Sequence, residues 1–270
     1  MRRPTPPTQA TVREAAVALR SLRKVYGRGS SAVPALGGRV GIDLDLITGS
    51  FTAVMGQSGS GKSTLLHCAA GLDRPSAGEV WWASTPLERL SETALTRLRR
   101  RRVGFVFQSY NLVSALTVRE NILLPLRLDH ARIDRRRLAA LTQRVGIDGL
   151  LRRRPAELSG GQQQRVAVAR ALLPQPDVIF CDEPTGALDS TAAAEVLSLL
   201  RDAVDQDGRT VVMVTHDPAA ASYADRVVFL ADGQLADDIA VPGVTGIAER
   251  LAQLGSSRTS FVPAGNAWLR

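Results

Sequence analysis

Gly56-Gln57-Ser58-Gly59-Ser60-Gly61-Lys62-Ser63-Thr64 decides how the rest of the chain is read. The run fits the pattern G-x-x-x-x-G-K-[ST], and it stands in the context that pattern requires. Phe51-Thr52-Ala53-Val54-Met55 before it is a short apolar run of strand type, and Ser63 to Ala70 after it is helix-compatible until Gly71. Strand, glycine loop and helix in that order make a phosphate site. Gly56, Gly59 and Gly61 let the backbone turn so that successive N–H groups point at phosphate oxygens. The helix that follows adds its free N–H groups and the positive end of its dipole. Lys62 is expected to reach the β- and γ-phosphates, and the Ser63 hydroxyl to bind Mg²⁺. An ordinary glycine-rich turn would account for the glycines but not for the lysine and hydroxyl beside them.

Composition sets the bounds. A chain of 270 residues, 44% hydrophobic and 22% charged, suits one large globular domain or two small ones. No apolar run approaches the roughly 18 to 20 residues that cross a bilayer, and Met1-Arg2-Arg3 leads into prolines and charges with no signal-type segment. The reading is a soluble, cytoplasmic chain. Cys68 and Cys181 form no metal-ligand spacing and read as small core residues. The net charge of +8 is nearly all arginine and comes in clusters, Arg97 with Arg99 to Arg102, Arg135 to Arg137, and Arg152 to Arg154. No aromatic residues interleave with them as on a base-stacking surface, so no nucleic acid is expected. They read as solvated helix faces, or as faces lying near an acidic partner or anionic lipid.

Along the chain, residues 1–15 are rich in proline, threonine and arginine and read as a flexible tail. Strand patterns run from Ala16 to Tyr26 and from Arg39 to Ile47, the second alternating Val40, Ile42, Leu44 and Leu46 with polar residues. Tyr26, at a strand end, reads equally as a ring stacked on a nucleotide base or as a rim aromatic covering apolar surface. Leu87 to Arg102 is a basic helix, and Val103 to Phe107 a buried-type strand ending at Gln108. From Ser109 to about Pro174 the pattern is helical, broken by Pro125, Gly146, Pro155 and the Gly160-Gly161 pair.

Asp177 to Glu183 is an apolar strand that ends in two acids. Carboxylates at the C-terminal edge of a parallel sheet stand where ligands bind in such folds. In a P-loop protein the first of the pair, here Asp182, holds Mg²⁺ and the second, Glu183, acts on water. Two helix-capping acids are the other reading, which Pro184 next door makes possible. Thr210 to Thr215 is a further buried strand ending at His216, and Asp232-Gly233 signals a hairpin. Val244, Ile247, Leu251 and Leu254 share one helical face, as in a helix docked on its own domain.

The constellation resembles the ATP-binding cassette family. The decisive run is Leu158-Ser159-Gly160-Gly161-Gln162-Gln163-Gln164-Arg165, which looks like that family's signature motif and stands between Gln108 and the acidic strand end. The similarity covers roughly Val17 to Leu235, with each motif in family order. Gly56 to Thr64 matches the Walker A loop, Gln108 the Q-loop, Val178 to Glu183 the Walker B strand, Ala187-Leu188-Asp189 the D-loop and His216 the switch histidine. Tyr26 sits where the family places its adenine-stacking aromatic. Phe107 to Leu112, Leu116 to Asn121 and Glu183 to Ser190 are similar to the ATPases of lipoprotein-release, macrolide-export and cell-division systems, which work with a separate permease.

That resemblance implies an α/β fold, a P-loop NTPase (RecA-like) core with an N-terminal antiparallel β-subdomain and an inserted α-helical subdomain. The ATP-binding domain would span residues 16–240, with the helical part at about 109–174, and residues 241–270 would form an extension. The cofactors implied are ATP and Mg²⁺. ATP would contact Tyr26, the nine residues Gly56 to Thr64, and Ser159, Gly160, Gly161, Gln162 and Asp189; Ser63, Gln108 and Asp182 would hold the metal; Glu183, His216 and Gln108 would be catalytic. Two copies would close head to tail around two ATP molecules, each site taking its Walker loop from one chain and its signature from the other. The implied partner is a separate transmembrane permease, with the chain peripheral on the cytoplasmic face of the cell membrane and driving export or membrane extraction of a lipophilic or peptide-like substrate. Two other classes compete: a soluble cassette protein acting on nucleic acid or ribosomes, which only the basic charge supports, and an ATP-dependent scaffold that does not turn ATP over.

Overall fold

The computed structural model describes residues 14–240 and 243–256. Of the expected tail, residues 1–13 lie outside the described residues, and Ala15 already opens a strand; of the C-terminal extension, residues 241, 242 and 257–270 lie outside them.

The elements in chain order are β1 (Ala15–Tyr26), β2 (Val33–Leu36), β3 (Ile42–Ile47), β4 (Phe51–Met55), α1 (Lys62–Ala69), β5 (Ala77–Trp82), β6 (Thr85–Pro86), α2 (Glu92–Arg102), β7 (Val103–Phe107), α3 (Val118–Leu128), α4 (Arg135–Arg144), α5 (Gly160–Leu172), β8 (Val178–Asp182), α6 (Ser190–Asp205), β9 (Thr210–Val214), α7 (Pro218–Ala221), β10 (Arg226–Ala231), β11 (Gln234–Ala240) and α8 (Val244–Ser256). They form two sheets. The N-terminal sheet is antiparallel, with β1 pairing β2, β3 and β5, and β6 beyond β5. The central sheet has the order β11-β10-β4-β9-β8-β7; only the edge strand β11, joined to β10 through the Asp232-Gly233 turn, is antiparallel.

Both faces of the central sheet are covered, which is why its strands read as continuous apolar runs. On one face Phe51, Met55, Ile179, Met213 and Phe229 pack with α3 to α8. On the other Val54, Phe180, Val212 and Val228 pack against α1 and the N-terminal sheet. Side chains of one strand alternate between these two cores. Burying a phenylalanine such as Phe180 contributes about 1.5–3 kcal/mol.

Four local readings change. The basic helix starts at Glu92, where Ser91 caps it, and not at Leu87, since Leu87 to Arg89 form a separate short 3-10 turn. The second N-terminal strand starts at Ile42, not Arg39: Val40 is 77% exposed because the Gly41 amide closes a turn on the Gly37 carbonyl. Helix α3 runs through Pro125, its N-terminus fixed by reciprocal bonds between Thr117 and Glu120 and its inner face by fully buried Val118, Ile122 and Leu123. That packing outweighs the amide hydrogen bond that proline removes. Gly160 and Gly161 open α5 instead of breaking the helical run, because Ser159 caps it.

Candidate functional site

The parallel register brings the motif residues to one edge. Phe107 is in register with Asp182, and Asp182 with Val214, so Gln108, Glu183 and the Thr215-His216 pair leave neighbouring strands at the same level. Val54 is in register with Val214 as well, which sets the glycine loop after Met55 beside them. This is the C-terminal edge, where ligands bind in open parallel sheets.

A cavity of about 750 Å³ opens there. Gly56 to Gly59 and Gly61 to Thr64 line it, with Glu183, His216, the β2 residues Val33 to Ala35, and Leu251 of α8. Ser60 turns away from the cavity and is buried. Gly61 stands at φ +99° just ahead of α1, where a methyl group would come 2.6 Å from the Ala35 carbonyl. Gly56 is as constrained, since a methyl there would lie 2.2 Å from the Leu230 carbonyl. No side chain caps α1, so its first N–H groups face the loop.

Lys62 is buried, and its ammonium donates to the Gly56 and Gln57 carbonyls at 2.8 and 2.9 Å. Burial lowers its pKa, against the opposing pull of Glu183 and Asp182. Ser63 Oγ donates to Asp182 Oδ1 at 3.2 Å, so hydroxyl and carboxylate already converge on one point. A hydroxyl and one carboxylate, with Gln108 near, are the oxygen donors that Mg²⁺ takes when phosphates supply the rest. Among the described residues no group of three or more His, Cys, Asp and Glu side chains could hold a metal by itself.

Glu183 sits at φ +46°, a left-handed conformation that is uncommon for a side chain of its size, held by its amide bonding the Val214 carbonyl. Its Oε1 lies 3.1 Å from His216 Nδ1. A methyl group at Gly186 would lie 2.8 Å from Gln108 Nε2 and 3.3 Å from Glu183 Oε2, which places the glutamine beside the carboxylate.

Tyr26 lies outside this cavity but pairs across the sheet with Val33, which lines it. Its hydroxyl donates to Asp73 Oδ2 at 2.8 Å, and the Lys24 ammonium lies 4.9 Å from the ring centre. Asp73, which nothing in the sequence pointed to, therefore anchors the ring. Leu251 was also missed as a wall of the site, for its signal was only that of a helix docked on its own domain.

Ser159, Gly160, Gly161, Gln162 and Asp189 do not line the cavity. Ser159 and Gln162 satisfy each other's backbone at the start of α5, and Asp189 caps α6 through the Thr191 and Ala192 amides. A methyl on Gly161 would come 2.9 Å from Ala192 Cβ, so the two helix starts are packed together. They form a second surface, apart from the glycine loop.

The ABC transporter family model matches residues 40–186. The chain is 45% identical over 229 residues to the macrolide export ATP-binding/permease protein MacB of Marinobacter nauticus, over 82% of this chain and 34% of that one. It therefore spans about a third of the length of that relative. It is 45% identical over 200 residues to the ABC transporter ATP-binding protein YxdL of Bacillus subtilis, over 73% of this chain and 78% of that one. Likewise it is 44% identical over 199 residues to the bacitracin export ATP-binding protein BceA of Halalkalibacterium halodurans, over 72% and 78%. Among solved structures, the ATP-binding cassette MJ0796, in a dimeric post-hydrolysis state bound to ADP and Pi, superposes with a TM-score of 0.76 at 38% identity, over 84% of this chain and 99% of that one.

Proposed function

The chain belongs to the ABC transporter family, and from that premise we propose that it is an ATP-binding and ATP-hydrolysing subunit that dimerises around two ATP molecules to drive a separate membrane permease. One observation carries the reading. Glycine loop, Glu183 and His216 share one cavity, while the Ser159 to Gln162 surface stands outside it and is left to close the site of a second copy.

Phosphate binding begins with the loop. The loop amides and the uncapped start of α1 supply N–H donors, and Lys62 exchanges its two carbonyl contacts for phosphate oxygens. The partner's Ser159, Gly161 and α5 N-terminus then cover the γ-phosphate from the open side. Ser63, Asp182 and Gln108 would hold Mg²⁺, which neutralises phosphate charge when bound. Glu183 accepts a proton from the attacking water and keeps it in line, with its own carboxylate fixed by His216. Gln108, beside both Gly186 and Glu183, would sense whether water and phosphate are in place. Tyr26 would stack on the adenine, its ring anchored by Asp73.

Closure is the mechanical output, passed through the helical segment after Gln108 to the permease. MacB and BceA are named as export proteins for a macrolide and for bacitracin, which supports export, or extraction from the membrane, of a lipophilic or peptide-like substrate. No helix among the described residues is long and apolar enough to cross a membrane. As the ATPase of an export system, the chain would sit on the cytoplasmic face through its permease.

The test is a pull-down of tagged Glu183→Gln protein from detergent-solubilised membranes with ATP present. Recovery of a permease is the expected result. Recovery of ribosomes or nucleic acid with no membrane protein would overturn the transport reading.

A further inference from the structure

The phosphate loop has a neighbour that the chemistry described so far does not use. Beside its first residues lies a second, smaller cavity of about 140 Å³, walled by Gly56, Gln57 and Ser60 of the loop, by the end of β10, and by Leu251 and Leu254 of α8. Three residues line both this cavity and the one that contains Glu183 and His216, namely Gly56, Gln57 and Leu251. They form the partition between the two spaces.

The loop side of the partition is tied to β10 and its turn. Gly56 stands against the Leu230 carbonyl, and the Ser60 carbonyl accepts the Gly233 amide at 3.0 Å. Leu251 arrives instead from the C-terminal helix, which is anchored on its own. Ile247, one turn earlier, is fully buried, Leu254 packs on the same core, and Arg250 pairs with Asp237 of β11. The spacing of Ile247, Leu251 and Leu254 puts all three on one face of α8. That helix packs on α7 as well, and α7 is capped by Asp217 directly after His216. So α8 joins the phosphate loop to the element that carries the histidine.

The partition also bears on the loop's cation. The Lys62 ammonium rests on the Gly56 and Gln57 carbonyls, so these two residues set where it stands before a phosphate arrives. Cutting Leu251 back would merge the two cavities and leave Gly56 and Gln57 without a neighbour on that side. Atoms that face a void lose the contacts that hold them in place.

We infer that Leu251 is a positioning residue for phosphate binding: from α8 it keeps Gly56 and Gln57, and through their carbonyls Lys62, at the point from which the ammonium moves onto the phosphates. The inference rests on the reading of the glycine loop as the ATP site and extends that site to the C-terminal helix.

The experiment measures the affinity of the purified full chain for ATP and for inorganic pyrophosphate, together with steady-state hydrolysis, in Leu251→Ala, Leu251→Met and Val204→Ala. Val204 is buried in the same core at the opposite edge of the sheet, where its carbonyl accepts the Gly208 amide just before β9 starts. Leu251→Ala is expected to weaken both ligands roughly fivefold, with kcat at saturating ATP within about twofold of the wild type. Leu251→Met refills the space and should restore the affinity. Val204→Ala should lower the denaturation midpoint at least as far and leave affinity unchanged, which separates a defect at the loop from a loss of stability. In a Lys62→Ala background the loss from Leu251→Ala should disappear, because it acts through the ammonium. Unchanged affinity in Leu251→Ala would overturn the inference, as would tighter binding, which would make the leucine an obstruction. An equal loss in Val204→Ala, no rescue by methionine, or a loss of the same size without Lys62 would overturn it too. Absence of ATP binding by the wild type would overturn the ATP reading itself, and this inference with it.

Discussion

Glu183 Oε1 and His216 Nδ1 lie 3.1 Å apart, one residue beyond the end of β8 and two beyond the end of β9. The pair ties the carboxylate to a neighbouring strand while leaving Oε2 on the side of Gly186 and Gln108. Replacing the carboxylate by an amide keeps this shape and removes the proton acceptor. Glu183→Gln is expected to bind ATP as the wild type does and to turn it over about 10²–10⁴-fold more slowly. Steady-state hydrolysis with a parallel binding titration reads both; an unchanged rate removes Glu183 from the role given to it.

Gly186→Ala tests the same corner from the other side. The added methyl must displace Gln108 Nε2, 2.8 Å away, and crowds Glu183 Oε2 at 3.3 Å. Turnover should fall by roughly tenfold with ATP affinity within a factor of about two, because only positioning is disturbed. A change in affinity alone would place the defect elsewhere.

Lys62→Ala should weaken ATP binding itself by at least about tenfold, since the ammonium is the loop's one fixed cation. The wild type carries a pH signature as well. Burial holds the Lys62 pKa below 10.5, so the proton is lost earlier than from an ordinary lysine. Nucleotide affinity is therefore expected to decline as pH rises through that lowered value, and the alanine variant should lack this limb. The same shift gives stability the opposite slope: the unfolded chain binds more protons in that window, so stability from this group rises with pH there.

Asp73 links the ring of Tyr26 to the rest of the fold. Burial alone would raise its carboxyl pKa, but hydrogen bonds from Lys24 at 2.5 Å and Tyr26 at 2.8 Å override it and leave the value below 3.8. Its stabilising contribution is thus fully present above 3.8 and disappears as pH falls through the lowered value. Asp73→Asn should cost about 1–3 kcal/mol in denaturant unfolding at neutral pH, because it leaves buried Lys24 without its counter-charge. It should also weaken binding of ATP more than that of inorganic pyrophosphate, which has no base. Equal losses for the two ligands would disconnect Tyr26 from the base.

Cys68 and Cys181 are fully buried, and burial pushes the Cys68 thiol up to about 12, helped by Asp73, and raises Cys181 as well. Neither thiolate is populated near neutral pH. Iodoacetamide should leave both unmodified in the native protein and alkylate both in denaturant, as read by mass. Labelling of native Cys68 would mean that α1 opens.

The two halves of the molecule differed in how openly the sequence spoke. The strands of the central sheet were evident because both their faces are buried, so Phe51 to Met55, Val103 to Phe107 and Thr210 to Val214 are apolar but for the buried threonines Thr52 and Thr210. The start of β3 was not, because Val40 continues the alternation while the turn closed between Gly37 and Gly41 keeps it out of the sheet. Pro125 misled for a similar reason: a local breaker was outvoted by the burial of Val118, Ile122 and Leu123 on the inner face of α3.

By itself the sequence determined the fold class and the identity of the motif residues, because glycine loops, helix caps and buried strands leave their marks within a few neighbouring positions. It determined too that the excess charge lies between Arg97 and Arg154. Adjacency was decided only by the tertiary structure. That Gln108, Glu183 and His216 meet follows from the register of β7, β8 and β9, and that Asp73 holds Tyr26 and Leu251 walls the cavity follows from contacts across 47 and more residues of chain. Such contacts are set by which surfaces fill the core together, and no local pattern encodes that choice.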